Sequence, residues 1–357
     1  MTATRRPLFD RPDVIVLGAC LGGIVLAALT HFVKLGSVTA FVCSAIAVAA
    51  LAALVGRSVD QIGERLGPGA TGVLQSALGN LPELFIAIFA LRAGLVEVVR
   101  AALIGSILGN LLFVLGLAFV VGGLKNGPQR FDVGRAKVNA ALMVLAVAAL
   151  VVPSLASYSR TSAGHHEHAL SVVVSVAMLV VFALSVPSSI ARTPGGDAPA
   201  AEPARWPMVL AIGLLSAASV SAAVVSDWFV SALEPAIKAL HISALFAGLV
   251  IVALAGNAIE NVVGIQLAAK NKAEAAMSVV INSPVQISLV LAPALVLLSP
   301  ILGGSTLTLV FSPMLLIAVV LAVFVAVLIT IDGESTWLEG VALLALYGII
   351  AASFWWG

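Results

Sequence analysis

Gly79-Asn80-Leu81-Pro82-Glu83 lies inside an apolar stretch long enough to cross a bilayer. A carboxylate, a carboxamide and a proline are costly there, because polar groups in hydrocarbon lose several kcal/mol unless partnered. The same spacing returns 177 positions later as Gly256-Asn257-Ala258-Ile259-Glu260, again within an apolar span. Most of the remaining chain reads as scaffolding that brings these two segments together.

Composition sets the membrane context. Of 357 residues, 61% are hydrophobic and 10% charged, with a mean hydropathy of +1.15. Soluble domains are about a quarter charged, so this is an integral membrane protein. A net charge of +1 gives no case for a nucleic-acid partner. Cys20 and Cys43 lie in apolar runs and read as small core hydrophobes rather than a disulfide. Arg5, Arg6 and Arg11 precede an apolar run from Val14 to Val33. It lacks an A-x-A cleavage context and reads as an uncleaved first helix.

At about 20 apolar residues per span, the sequence predicts eleven helices, near 13–33, 36–56, 70–92, 98–122, 136–154, 168–188, 207–231, 242–269, 274–299, 306–331 and 336–356. The expected fold is an all-α membrane protein: one N-terminal helix plus two inverted five-helix repeats. Its parts are a tail and first helix (1–35), a first repeat (36–190), a Pro/Gly/Ala-rich linker (191–206) and a second repeat (207–357). With the N-terminus inside, thirteen Lys and Arg fall on the cytoplasmic side and five outside. That bias favours a cytoplasmic N-terminus and an outside C-terminus.

Spacing supports the repeat. Gly79 to Gly105 is 26 positions, and so is Gly256 to Asn282. The following spans carry Ser106 and Asn110 in one half, Ser283 and Gln286 in the other. Asn and Glu at i and i+3 share a helix face, as do Ser106 with Asn110 and Ser283 with Gln286. Carboxylate, amide, hydroxyl and backbone carbonyl are the ligand set of a hard cation such as Ca²⁺. Gly79, Pro82, Gly256 and Pro284 allow the helices to bend and free carbonyls. Two facing carboxylates, Glu83 and Glu260, are neutralised by one divalent cation or by two protons. Burial and mutual repulsion should raise at least one of their pKa values toward neutrality.

At these residues the chain resembles the cation/proton exchanger family of the Ca²⁺/cation antiporter superfamily. Gly79-Asn80-Leu81-Pro82-Glu83-Leu84 with Gly105-Ser106-Ile107-Leu108-Gly109-Asn110 resembles the first family repeat. Gly256-Asn257-Ala258-Ile259-Glu260 with Ser283-Pro284-Val285-Gln286 resembles the second. The resemblance implies a Ca²⁺/H⁺ antiporter of a plasma (inner) membrane that exports cytosolic Ca²⁺ and needs no cofactor. Glu83 and Glu260 would bind Ca²⁺ and protons in turn. Asn80, Asn257, Ser106, Ser283, Gln286, Asn110 and Asn261 would line the site or its access paths. The chain departs from the family at Asn261, where His is usual, and at Asn282, where Gly is common.

Other readings stay open on the residues alone. Na⁺/H⁺ or Na⁺/Ca²⁺ exchange could use the same scaffold, and a passive channel could also line its pore with a carboxylate pair. Within the spans no nucleophile–base pair or cofactor motif suggests an enzyme. His165, His166 and His168, beside Glu167, read as a solvated outer loop. Gly105-x-x-x-Gly109 fits close helix packing. The sequence allows a homo-oligomer in the lipid bilayer.

Overall fold

The computed structural model describes residues 8–66, 74, 78–159, 161–191 and 204–356. Twelve helices of more than one turn cover most of them. They are α1 (Arg11–Val33), α2 (Ser37–Leu66), α3 (Leu81–Arg92), α4 (Val96–Asn126), α5 (Val133–Tyr158), α6 (Glu167–Ala191), α7 (Met208–Leu240), α8 (Ala244–Gly256), α9 (Ala258–Ala269), α10 (Ala273–Leu298), α11 (Pro313–Thr330) and α12 (Trp337–Ser353). Among the described residues eight helices are long and apolar enough to cross a membrane. The bent pair α8–α9 makes nine if taken as one span. The chain is a multi-pass membrane protein.

Several helices differ in extent from the expected spans. α2 continues ten residues past 56 and carries Arg57, Asp60 and Glu64, while α7 runs to Leu240 rather than 231. Charged residues end an apolar window without ending a helix, since Glu, Lys and Arg are good helix formers. The expected span at 70–92 is seen as α3, and most of 67–77 lies outside the described residues, as do 192–203 of the linker. The span expected at 306–331 starts only at Pro313, which takes the first helical turn behind the Ser312 cap.

Ahead of it, residues 306–312 are extended. Leu307, Leu309 and Phe311 are buried, in the alternation of a strand. Their backbone groups are satisfied by hydroxyls. Leu307 N donates to Ser299 Oγ (2.9 Å), Leu309 N to Ser171 Oγ (3.0 Å) and Phe311 N to Ser154 Oγ (3.0 Å). Tyr158 Oη donates to the Phe311 carbonyl (2.9 Å). A buried segment without a ladder is viable only with such partners.

The chain divides into two compact units, residues 1–89 with 182–239, and residues 90–181 with 240–357. In the first unit α2 runs antiparallel to both α1 and α7. Cys20 Sγ donates to the Ala50 carbonyl (3.1 Å), Gly23 meets the Ala47 backbone, and Arg57 pairs with Asp13. Along the other side, Phe41 stacks on Phe229 (4.8 Å), and Gln61 Oε1 accepts from the backbone N of both Arg205 and Trp206 (2.8 and 2.9 Å). Both cysteines are free.

In the second unit α4 packs antiparallel to α12 through Gly116 and Gly340, whose missing side chains let the backbones meet. Two short strands, β1 (Gln129–Arg130) and β2 (Glu334–Ser335), pair antiparallel, Gln129 opposite Ser335. They tie the end of α4 to the start of α12.

Candidate functional site

Each motif leads directly into a helix. Asn80 immediately precedes α3, and its carbonyl accepts from Leu84 N (2.9 Å). Asn257 separates α8 from α9 with φ −101° and ψ 22°, and its carbonyl accepts from Asn261 N (3.2 Å). Glu83 and Glu260 are each the third residue of the helix that follows. There the unpaired N–H groups and the positive helix end favour negative charge. Pro82 is accommodated because the second helical position has no intrahelical acceptor for an N–H. It starts a helix here and does not kink one.

The expected site residues fall in both units, and the division does not follow the two halves of the sequence. Asn80 and Glu83 belong to the first unit and are buried, 9% and 5% exposed. Ser106, Asn110, Asn257, Glu260, Asn261, Ser283 and Gln286 belong to the second.

Four of these form a closed hydrogen-bonded ring. Asn110 Nδ2 donates to Ser283 Oγ (3.2 Å), and Ser283 Oγ donates to Asn257 Oδ1 (3.3 Å). Asn257 Nδ2 donates to Ser106 Oγ (2.9 Å), and Asn110 Nδ2 closes the ring on the Ser106 carbonyl (2.9 Å). All four residues are at most 4% exposed. Asn257 Nδ2 also donates to the Ala253 carbonyl (3.0 Å), so the residue that breaks the helix caps the last turn before the break. One acceptor stays over: Asn110 Oδ1 is buried with no hydrogen-bond partner. Such an orphan is unusual and suits an oxygen kept for a cation. Glu260, Asn261 and Gln286 are half-buried around this ring's helices.

Backbone irregularity surrounds the ring. α4 is π-helical at Gly109–Val114, starting three residues after Ser106, and α10 at Ile287–Leu291, four residues after Ser283. A third π segment, Ala247–Val252, lies in α8. Wide turns of this kind are rare and concentrate at functional sites. α4 and α8 cross with backbones in contact: a Cβ on Gly105 would overlap the Leu249 carbonyl, and one on Gly248 would overlap that of Val98. Of the pair Gly105 and Gly109, only Gly105 stands at this close approach. Gly248 and the π segments were not marked by the sequence reading, since apolar runs carry no sign of a π turn.

His165 and His166 lie in a 3₁₀ turn (Ser162–His166), and His168 follows at the start of α6. Glu167 accepts instead from Ser157 Oγ. Among the described residues no group of three or more His, Cys, Asp or Glu is placed to hold a metal.

Comparison with known proteins fits this geometry. The model of the sodium/calcium exchanger protein family matches residues 36–190 and 210–356. A Ca²⁺/H⁺ antiporter of Synechocystis is 36% identical over 352 residues, covering 92% of this chain and 94% of that protein. The Ca²⁺/H⁺ antiporter ChaA of Bacillus subtilis is 34% identical, covering 93% and 96%. Among solved structures, native YfkE superposes with a TM-score of 0.82 at 32% identity, covering 95% of this chain and 99% of its own. The chain belongs to the sodium/calcium exchanger protein family.

Proposed function

We propose that the protein is a secondary antiporter that exports Ca²⁺ in exchange for H⁺, with Glu83 and Glu260 binding the two ions in turn. The observation that carries the reading is the buried ring of Ser106, Asn257, Ser283 and Asn110 at the helix break that bears Glu260. It offers neutral oxygens and one orphaned acceptor, the donors a hard cation takes. The Ca²⁺/H⁺ antiporters to which the chain is similar support the choice of ions.

Inverted repeats over 36–190 and 207–357 are supported by the two separate matches to the family model. They are also supported by corresponding local features. Gly127 and Gly303 both take positive φ after their helices, at +76° and +69°. Asp132 and Ser312 then cap the next helix in each half. Halves of five helices each insert with opposite orientation. The Lys and Arg distribution supports a cytoplasmic N-terminus and an outside C-terminus in a plasma membrane.

The charge balance explains coupling. Two carboxylates are neutralised by one Ca²⁺ or by two protons. An empty site leaves both charged in the membrane at about 2.5–3.5 kcal/mol each, or about 5–7 kcal/mol together. That makes the empty carrier rarer by roughly four to five powers of ten. Changing sides then requires cargo, which is the condition for exchange. Reconstituted protein tests this under proton and sodium gradients imposed separately. Ca²⁺ uptake driven by the proton gradient is expected; uptake driven by sodium alone would overturn the assignment.

A further inference from the structure

The helices that carry the two glutamates end in the same way. Ala90, Leu91, Gly94 and Leu95, at the end of α3, stand 177 positions before Leu267, Ala268, Asn271 and Lys272, at the end of α9. Gly94 and Asn271 both take positive φ, at +80° and +57°. Leu95 N donates to the Ala90 carbonyl (2.8 Å), and Lys272 N to that of Leu267 (3.0 Å). Gly94 N donates to the Leu91 carbonyl (3.1 Å), and Asn271 N to that of Ala268 (3.0 Å). This is a Schellman turn, in which a left-handed residue and its successor send their N–H groups back into the last helical turn. The offset that relates the motifs therefore extends, bond for bond, to the far ends of their helices.

A carbonyl oxygen has a second lone pair. At Leu91 and Ala268, each 1% exposed, a segment from the other half of the sequence reaches that oxygen. At Leu91 the donor is Ser305 N (3.2 Å), and a Cβ on the neighbouring Gly304 would overlap the same carbonyl. At Ala268 the donors are two carboxamides, Asn126 Nδ2 (3.2 Å) and Gln129 Nε2 (3.1 Å). Again a glycine makes the room, since a Cβ on Gly122 would occupy the place of the Gln129 amide. Gln129 is 3% exposed and is held in β1 opposite Ser335, while Asn126 ends α4.

Glu260 stands eight residues before Ala268, about 12 Å away at about 1.5 Å per residue. A tilt of α9 by about 5° about its Ala268 end moves the Glu260 end by about 1 Å, a misplacement that can cost about a hundredfold in rate. The break at Asn257 leaves α9 with no continuous helix to fix its direction from the other side. We propose that Asn126 and Gln129 are positioning residues for the exchange: they latch the C-terminal end of α9 and so set where Glu260 meets its ion. The role of Glu260 rests on the exchange reading above; the latch does not.

Gln129→Met keeps a long side chain beside Gly122 but has no N–H to donate, and Asn126→Ala removes the second donor. In detergent, hydrogen exchange at the Lys270, Asn271 and Lys272 amides, which bond back into the last turn of α9, reads the latch. It should accelerate at least about tenfold in the double variant and less in either single one. Unchanged exchange in the double variant would overturn the latch. In proteoliposomes the double variant should take up Ca²⁺ at least about tenfold more slowly. Its pH of half-maximal uptake should move by at least about half a unit, because the proton affinity of a carboxyl depends on its burial and neighbours. Gly340→Ala controls for stability: it overpacks α12 against the Gly116 carbonyl, and should lower the melting temperature while leaving the pH of half-maximal uptake in place. A double variant with the pH dependence of the wild type, or Gly340→Ala displaced as far, would overturn the positioning role. Should the double variant fail to fold, Gln129→Met alone is read against Gly340→Ala in the same way. Wild-type protein without proton-coupled uptake would overturn the exchange reading alone, and hydrogen exchange would still decide the latch.

Discussion

Asn257 donates its side-chain amide to the hydroxyl of Ser106, 2.9 Å away and 151 positions earlier in the chain. One residue thus caps a broken helix, holds a hydroxyl on α4 and accepts from Ser283 on α10. Asn257→Ala leaves several buried polar groups without partners. A loss of about 1–3 kcal/mol is expected for each group that finds no water. Thermal melting in detergent should fall, and Ca²⁺ uptake in proteoliposomes should drop at least about tenfold. Normal uptake by a variant of normal stability would show that the ring is not part of the site.

The crossing of α4 and α8 predicts a contrast between glycines. Gly105→Ala drives a methyl into the Leu249 carbonyl and should cost about 1–3 kcal/mol by overpacking. Gly18→Ala on α1 meets nothing within 4 Å and should leave the melting temperature unchanged or slightly raised. Equal melting of the two variants would contradict the close approach.

The extended segment before α11 depends on three hydroxyls. Ser154→Ala removes the acceptor for Phe311 N and the donor to the Leu309 carbonyl (3.1 Å). Hydrogen exchange at the Phe311 amide should accelerate, with a stability loss of about 1–3 kcal/mol. Val320→Ala on the exposed face of α11 serves as a control, expected to change neither.

These three predictions differ in how far the sequence announced them. The paired Gly-Asn-x-x-Glu motifs were legible because polar residues inside apolar spans are few and each is costly. Three of the neutral ring members, Ser106, Asn257 and Ser283, were marked through the 177-residue spacing, and Asn110 through its place one turn beyond Ser106. Residues 306–312 were not. Leu-Thr-Leu-Val-Phe is as apolar as a helix, and only its two-residue alternation marks the strand-like segment. The extra turns of α2 and α7 were missed because hydropathy measures lipid contact, and a helix can continue into water. The π segments left no compositional trace at all.

At the start of α1, burial pushes the Asp10 carboxyl up, but hydrogen bonds from the Asp13 N–H and from Arg205 outweigh it. They hold the carboxyl below its ordinary value of 3.8. A depressed native pKa contributes stability that is present above pH 3.8 and is lost as the pH falls through the lower native value. Melting curves across this acid range should therefore be less steep in pH for Asp10→Asn than for the wild type. Identical acid limbs would show that Asp10 and its Arg205 partner (2.7 Å) do not contribute.

The central claim is that Glu83 and Glu260 exchange Ca²⁺ for protons at one site. The most direct measurement follows Ca²⁺ and pH together inside the same proteoliposomes, for wild type, Glu83→Gln and Glu260→Gln. Wild-type protein should take up Ca²⁺ only as protons leave, and either substitution should abolish both fluxes together. Full coupled flux in Glu83→Gln or Glu260→Gln, or Ca²⁺ entry with no proton movement, would contradict it.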